Sequence, residues 1–188
     1  MLRLGIDERG VTEIIGLADH VASLTAAAEG LRLPADVPTA AHPSPAQLVQ
    51  PPSETPEAAS ASLSDIGAWA RAALGIEHVP LFWKVLSHQP RFLAATWAKD
   101  RLVLGPGRLD VATKSCVALA VAIFRQSGYW TSYFNQLARR AAGLDDATLV
   151  ELTSCVMHYV SFNTIAHGMR LEAPFNELTA QGALALAH

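Results

Sequence analysis

The most apolar stretch of the sequence follows Asp110 and is succeeded by a second helical pattern. Asp110 is a plausible N-cap, and the apolar residues that follow leave almost no polar face. The pattern therefore predicts a helix that is buried on nearly all sides. Ser127 and Gly128 mark a short break, after which a second helix is predicted to end at Gly143. The apolar run is too short to span a bilayer, so we interpret the first helix as a core helix.

Helical periodicity also appears on both sides of this pair. Residues 11–28 carry an apolar face and stop at Gly30, and further helices are predicted over residues 64–74, 80–87 and 90–104. Asp145 or Asp146 can cap a last long helix that runs to about Met169. The apolar face of the first helix consists of Ile14, Ile15, Ala18, Val21, Ala22 and Leu24.

Residues 33–60 hold seven of the eleven prolines, a spacing that no helix tolerates. We interpret them as an extended Pro-rich linker between an N-terminal helical arm, residues 1–32, and a main helical domain, residues 61–175. Residues 176–188 form a C-terminal tail. A possible role of the arm and the linker is to bind another protein.

No run of alternating apolar and polar residues bounded by turns indicates a β-strand. The fold class is therefore all-α, with about six to eight helices, two of which form a central antiparallel pair.

The amino-acid composition limits the kinds of partner that the chain is expected to bind. Apolar residues make up 51% of the 188-residue chain and charged residues only 16%, which favours a homo-oligomer that covers apolar faces. The net charge is −3 and no basic stripe is present, so nucleic-acid binding is not expected. No signal-peptide pattern or membrane span is found, and we expect a cytoplasmic protein that needs no cofactor.

Three segments of the main domain resemble the core of the alkylhydroperoxidase D/carboxymuconolactone decarboxylase family. They are the sequence ALAV at residues 118–121, the run LARRAAGL at residues 137–144, and PLFWKVLSHQP at residues 80–90. The resemblance covers roughly residues 63–172. It implies an alkylhydroperoxidase D-like helical bundle, and it implies a reactive centre of two cysteines and a histidine at the start of the helix after ALAV.

The residues of that reactive centre are absent from this sequence. Counted forward from ALAV, the two cysteines and the histidine of the family fall on Ser127, Trp130 and Phe134. Counted back from Gly143, they fall on Gly128, Thr131 and Asn135. The glutamate that precedes them in the family falls on Ser115, beside Lys114. Thiol peroxidase chemistry needs an activated thiolate and a second thiol, and neither set supplies one.

Two cysteines and two histidines lie elsewhere in the sequence and are candidates to replace this reactive centre. Cys116 and Cys155 lie in apolar helical runs and are candidates for a displaced redox pair, although buried cysteines usually act as small hydrophobic residues. His158 and His167 lie nine residues apart, so one helix places them on opposite faces and a shared metal ion is not expected.

The leading hypothesis is a member of this family that has lost thiol peroxidase activity and acts as a ligand-binding, structural or regulatory subunit of an oligomer. The alternative is a non-redox acid/base enzyme acting on a small organic acid, with Tyr129, Ser127 or His158 as catalytic residues. A peroxidase with relocated cysteines is a further alternative. A pocket at the reactive position would be lined by Ser127, Gly128, Tyr129, Trp130, Thr131 and Phe134.

Overall fold

The structure is a computed structural model that describes residues 6–39 and 47–171. Predictions for residues 40–46 of the linker and for the tail, residues 176–188, lie outside the described residues. Within the described ranges the chain forms seven α-helices and no β-strand, which confirms the all-α prediction. The helices are α1 (Glu8–Gly30), α2 (Glu57–Trp69, continued by a π-helical turn, Ala70–Leu74), α3 (Leu81–Leu86), α4 (Pro90–Leu104), α5 (Val111–Phe124), α6 (Gly128–Ala142) and α7 (Asp146–Gly168).

Side-chain caps define the central pair, α5 and α6, as the sequence predicts. The Asp110 carboxylate accepts a hydrogen bond from the Thr113 backbone N–H at 2.7 Å and begins α5. Ser127 begins α6 in the same way, and Gly143 ends it with a φ of +68°. These caps confirm both the break between the helices and the predicted end of the second one.

Helix α1 contributes to the same hydrophobic core as the main domain. Its buried stripe runs through Leu17, Val21, Leu24 and Ala28, and the helix packs against α4, α5 and α6. Ile15, which was expected on the buried face, is 64% exposed, because the stripe is rotated toward Leu17.

The Pro-rich region is shorter than predicted, and its described beginning packs on the core. Helix α2 starts at Glu57 after Pro56, so the helix begins inside the range assigned to the linker. Leu33 and Val37 are buried, and the Asp36 carboxylate accepts a hydrogen bond from the Leu81 N–H at the start of α3. Residues 33–39 therefore join α1 to α3 through packing as well as through the chain.

Helix α7 lies along α5, and no other helix of residues 6–39 and 47–171 covers it. None of its residues is buried, although Leu149 and Leu152 pack against the edge of the core. The prediction that α5 is buried on nearly all sides is therefore wrong. Val117 and Val121 are only partly buried, and Phe124 is 51% exposed, because no second layer of helices in the described part of the chain covers this side. Among the described residues no helix is long and apolar enough to cross a membrane.

A polar contact fixes α1 to the turn that precedes α5. Glu13 on α1 accepts hydrogen bonds from the backbone N–H groups of Arg108 and Leu109 at 2.6 and 3.0 Å, and it pairs with the ammonium of buried Lys114 at 3.3 Å. These hydrogen bonds, followed by the nearby positive charge of Lys114, lower the pKa of Glu13 from 4.5 to about 2.

The free energy of unfolding should therefore depend on Glu13 at acidic pH. Because the pKa of Glu13 is lower in the folded state, its stabilisation is complete above pH 4.5 and is lost as the pH falls toward 2. We expect Glu13→Gln to flatten this decline in urea titrations between pH 5 and pH 2. Glu151→Gln, at an exposed position on α7, is the matched control and should leave the decline unchanged. Equal slopes for the native chain and Glu13→Gln would contradict the assignment.

Candidate functional site

Ser127 is the N-cap of α6, where the resemblance places a reactive thiol. Ser127 is 1% exposed. Its hydroxyl donates a hydrogen bond to the Glu29 carboxylate on α1 at 2.8 Å, and its oxygen accepts one from the Trp130 N–H at 3.3 Å. The hydroxyl is thus committed to capping α6 and to joining α6 to the end of α1.

Trp130, in the first turn of α6, packs into the core. Its side chain is fully buried, and its indole N–H donates a hydrogen bond to the Leu24 carbonyl of α1 at 2.8 Å. Its ring lies 5.0 Å from the ring of Phe82 on α3 and 4.9 Å from that of Tyr133, measured between centroids. Phe134, also fully buried, stacks on it at 5.5 Å. The indole therefore contacts three helices in the middle of the core.

Tyr129 is held as a buried hydrogen-bonding group. Its hydroxyl accepts a hydrogen bond from the Phe82 N–H at 3.0 Å, and the buried carboxylate of Asp36 lies near it. Burial, followed by the negative charge of Asp36, raises the pKa of Tyr129 well above its ordinary value, and burial also raises the pKa of Asp36. Tyr129 thus remains protonated and joins α6 to residues 33–39 and α3.

The two possible alignments of the reactive centre place different residues in the core. Ser127, Trp130 and Phe134 of the forward alignment are all buried. The backward alignment includes Gly128, which is exposed, and Asn135, which is half-buried. Neither set contains a thiol or an imidazole. The Lys114 ammonium beside Ser115 is engaged by Glu13 and by the Gly105 carbonyl, the latter at 2.8 Å.

The other predicted acid/base candidate, His158, lies on α7. It is exposed, and its ring contacts Phe162 at 4.1 Å between centroids. No hydrogen bond or ring contact in the described part of the chain links His158 to Ser127 or Tyr129. His167 is also exposed on α7, and residues 6–39 and 47–171 contain no group of three metal-ligating side chains.

The two cysteines are free thiols on neighbouring helices. Cys116 on α5 is partly buried, and this burial raises the pKa of its thiol. Cys155 on α7 is exposed and lines an apolar groove together with Val121 and Tyr159. A raised pKa reduces the thiolate fraction at neutral pH, so the environment of Cys116 is the opposite of one that activates a peroxidatic cysteine.

The sequence reasoning missed a buried hydrogen-bonded pair between α1 and α4. His20 Nε2 lies 3.1 Å from Asp100 Oδ1, and the two side chains are 2% and 1% exposed. The helical spacing of the two residues could have indicated that both are buried. His20 lies three and four residues from Leu17 and Leu24 on the buried stripe of α1, and Asp100 lies three and four residues from Trp97 and Leu104 on that of α4.

Comparison with known proteins identifies the fold. The structure is similar to that of the alkylhydroperoxidase AhpD core from Rhodospirillum rubrum, with a TM-score of 0.55 and 24% sequence identity. The similarity covers 63% of this chain and 88% of that chain. No family model matches the sequence, and no curated protein matches it. The chain thus has an alkylhydroperoxidase AhpD-like helical fold.

Trp130 should be among the most sensitive positions for stability. Truncation to alanine leaves a large cavity and removes the hydrogen bond to Leu24, so Trp130→Ala should lower the free energy of unfolding by about 3–5 kcal/mol. Trp130→Phe retains most of the ring, and it should cost about 1–3 kcal/mol because the buried Leu24 carbonyl loses its partner.

Urea unfolding followed by circular dichroism measures both changes. Phe92→Ala, at an aromatic residue that is 61% exposed, is the control and should cost less than about 1 kcal/mol. An equally small loss for Trp130→Ala would show that the indole does not hold these helices together.

Proposed function

We propose that this protein is a subunit of a homo-oligomer that has the AhpD-like fold without thiol peroxidase activity, and that it assembles through α7. The proposal rests on the exposure of α7, a helix of 23 residues of which none is buried.

The proposed loss of peroxidase activity follows from the side chains at the start of α6. Reduction of a hydroperoxide by thiols needs a thiolate nucleophile and a second thiol that closes a disulfide. Ser127, Trp130 and Phe134 are instead built into the core. The only thiols in the sequence, Cys116 and Cys155, lie on α5 and α7. The solved structure with the similar fold is named an alkylhydroperoxidase. We do not propose that activity for this chain.

The surface that we assign to assembly, the α7 surface, combines exposed apolar side chains of α7 with the end of α5. It has no formal charge over residues 152–169, which contain no Asp, Glu, Lys or Arg. Apolar side chains that point to several sides of a helix are ordinarily covered on those sides, and among the described helices α5 covers one side of α7. The surface consists of Phe124, Val150, Met157, Tyr159, Val160, Phe162, Ile165 and Met169.

The size of the α7 surface fits a protein interface. These side chains are between 37% and 67% exposed. Side chains of this size expose on the order of 100 Å² each at such fractions, which sums to roughly 800 Å² per subunit over all exposed sides of α7 and the end of α5. A stable interface of standard size buries about 800 Å² on each partner, whereas the largest apolar patch of a typical monomer is about 300–600 Å².

We assign a second copy of the chain as the occupant. In a two-fold contact the same surface meets itself, and an uncharged surface does so without repulsion between like charges. A membrane surface would be expected to select Lys or Arg beside the apolar face, and residues 152–169 have none. Apolar side chains on both sides of the contact also suit an obligate interface better than a transient one.

The acid/base alternative lacks a comparable supporting observation. It requires two of Ser127, Tyr129 and His158 to reach one substrate atom. Ser127 and Tyr129 are engaged in the core, and His158 faces outward on α7.

Sedimentation velocity on the full chain tests the assembly. At micromolar concentration we expect a mass that is a multiple of 20.0 kDa. Phe162→Glu places a charge in the centre of the α7 surface and should raise the dissociation constant at least 100-fold, which corresponds to about 3 kcal/mol.

The matched control is Leu102→Glu, which introduces the same charge at an apolar residue of α4 that is 80% exposed and lies outside the α7 surface. It should leave the mass unchanged. A native chain that sediments as a monomer at 100 μM, or an oligomer that Phe162→Glu and Leu102→Glu affect equally, would overturn the proposal.

A further inference from the structure

A second candidate binding site is a pocket between α1 and α4, away from the α7 surface. Its volume is about 320 Å³. Leu24 and Ala27 of α1, Phe82 of α3, and Phe92 and Ala95 of α4 form its apolar walls. Pockets for small molecules range from about 300 to 1,000 Å³, so this one suits a compact ligand and not a polymer.

One end of the pocket is polar because His20 lines it. The imidazole is oriented from behind by the buried carboxylate of Asp100, 3.1 Å from Nε2. An imidazole that donates to this carboxylate carries a hydrogen on Nε2. Nδ1 is then the ring nitrogen that remains for a ligand, and no residue in the described ranges makes a hydrogen bond to it.

The charged group at the pocket is a cation. Lys99 lines the pocket and is 48% exposed, and its ammonium lies 3.2 Å from the Asp19 carboxylate on α1. Neither Asp19 nor Asp100 is among the residues that line the pocket. Ser23 and Thr96 add two hydroxyl groups beside it. The lining therefore combines an apolar wall with one ammonium, one imidazole and no carboxylate.

We infer that this pocket binds a small monocarboxylic acid with an apolar body. The carboxyl group contacts Nδ1 of His20 and the ammonium of Lys99, and the hydrocarbon or aromatic part packs on Phe82 and Leu24. A carboxylic acid suits this imidazole in either protonation state. A protonated carboxyl can donate a hydrogen bond to Nδ1, and a carboxylate can accept one from it.

The buried pair also has a purely structural interpretation, in which His20 only neutralises Asp100. That interpretation accounts for the short distance between them. It does not account for a cavity in which a cation and an imidazole border the same apolar wall. A structural pair also predicts no saturable binding of acids, so the two interpretations can be separated by experiment.

Isothermal titration calorimetry of the full chain with octanoate is the direct test. We expect one site per chain with a dissociation constant of about 1 mM or tighter. Succinate, which lacks an apolar body, and 1-octanol, which lacks the carboxyl group, should bind at least tenfold more weakly. Lys99→Gln should weaken octanoate binding severalfold, since it removes the cation and leaves the buried pair intact.

Ala95→Trp fills the pocket while leaving the residues His20 and Asp100 in place, and it should abolish octanoate binding. Ala94→Trp is the matched control, because Ala94 is exposed on α4 and does not line the pocket. Phe162→Glu should bind octanoate as the native chain does, whatever its oligomeric state, so this inference and the proposed assembly can fail separately. Absence of saturable binding, binding unchanged in Ala95→Trp, or binding lost in Phe162→Glu would overturn the inference.

Discussion

The fold depends on one buried side chain, the indole of Trp130. It lies in the first turn of α6, donates its N–H to the last part of α1, and packs on α3. Through Phe82 and Tyr133 it connects to the other three tryptophans of the chain, Trp69, Trp83 and Trp97. Aromatic side chains bury more apolar area than any others, so this cluster supplies much of the stabilisation of the core. The start of α6 is thus occupied by packing, which is incompatible with a solvent-accessible nucleophile at that position.

The two faces of α5 have opposite surroundings, and this asymmetry connects the fold to the proposed assembly. On one side α5 packs against α1 and α6, and residues such as Ala118, Leu119 and Ala122 are fully buried. On the other side α7 is the one described helix that covers it, and the apolar surface continues onto α7. The hydrophobic free energy of that surface is gained only when another apolar face meets it. A second copy provides such a face without any new sequence feature.

The helical elements could be predicted from the sequence because their signals are local. Asp110, Ser127, Gly143 and Asp145 end or begin helices through contacts within four residues, and the structure has each of these boundaries. Contacts between residues far apart in the sequence could not be predicted from such local signals. The pair between His20 and Asp100 joins residues 80 positions apart, and Asp36 meets Leu81 from 45 positions away. The predicted face of α1 failed at Ile15 for the same reason, since the position of α4 and α5 decides which side of the helix is covered.

Turnover of an organic hydroperoxide with a dithiol reductant tests the central claim most directly. The claim is that the side chains at the start of α6 replace thiol chemistry by packing. The native chain should show no turnover above the rate without protein, and a Cys116→Ser/Cys155→Ser variant should give the same result. Turnover in the native chain that disappears in the double variant would mean that these two thiols form a redox centre, and it would contradict the account.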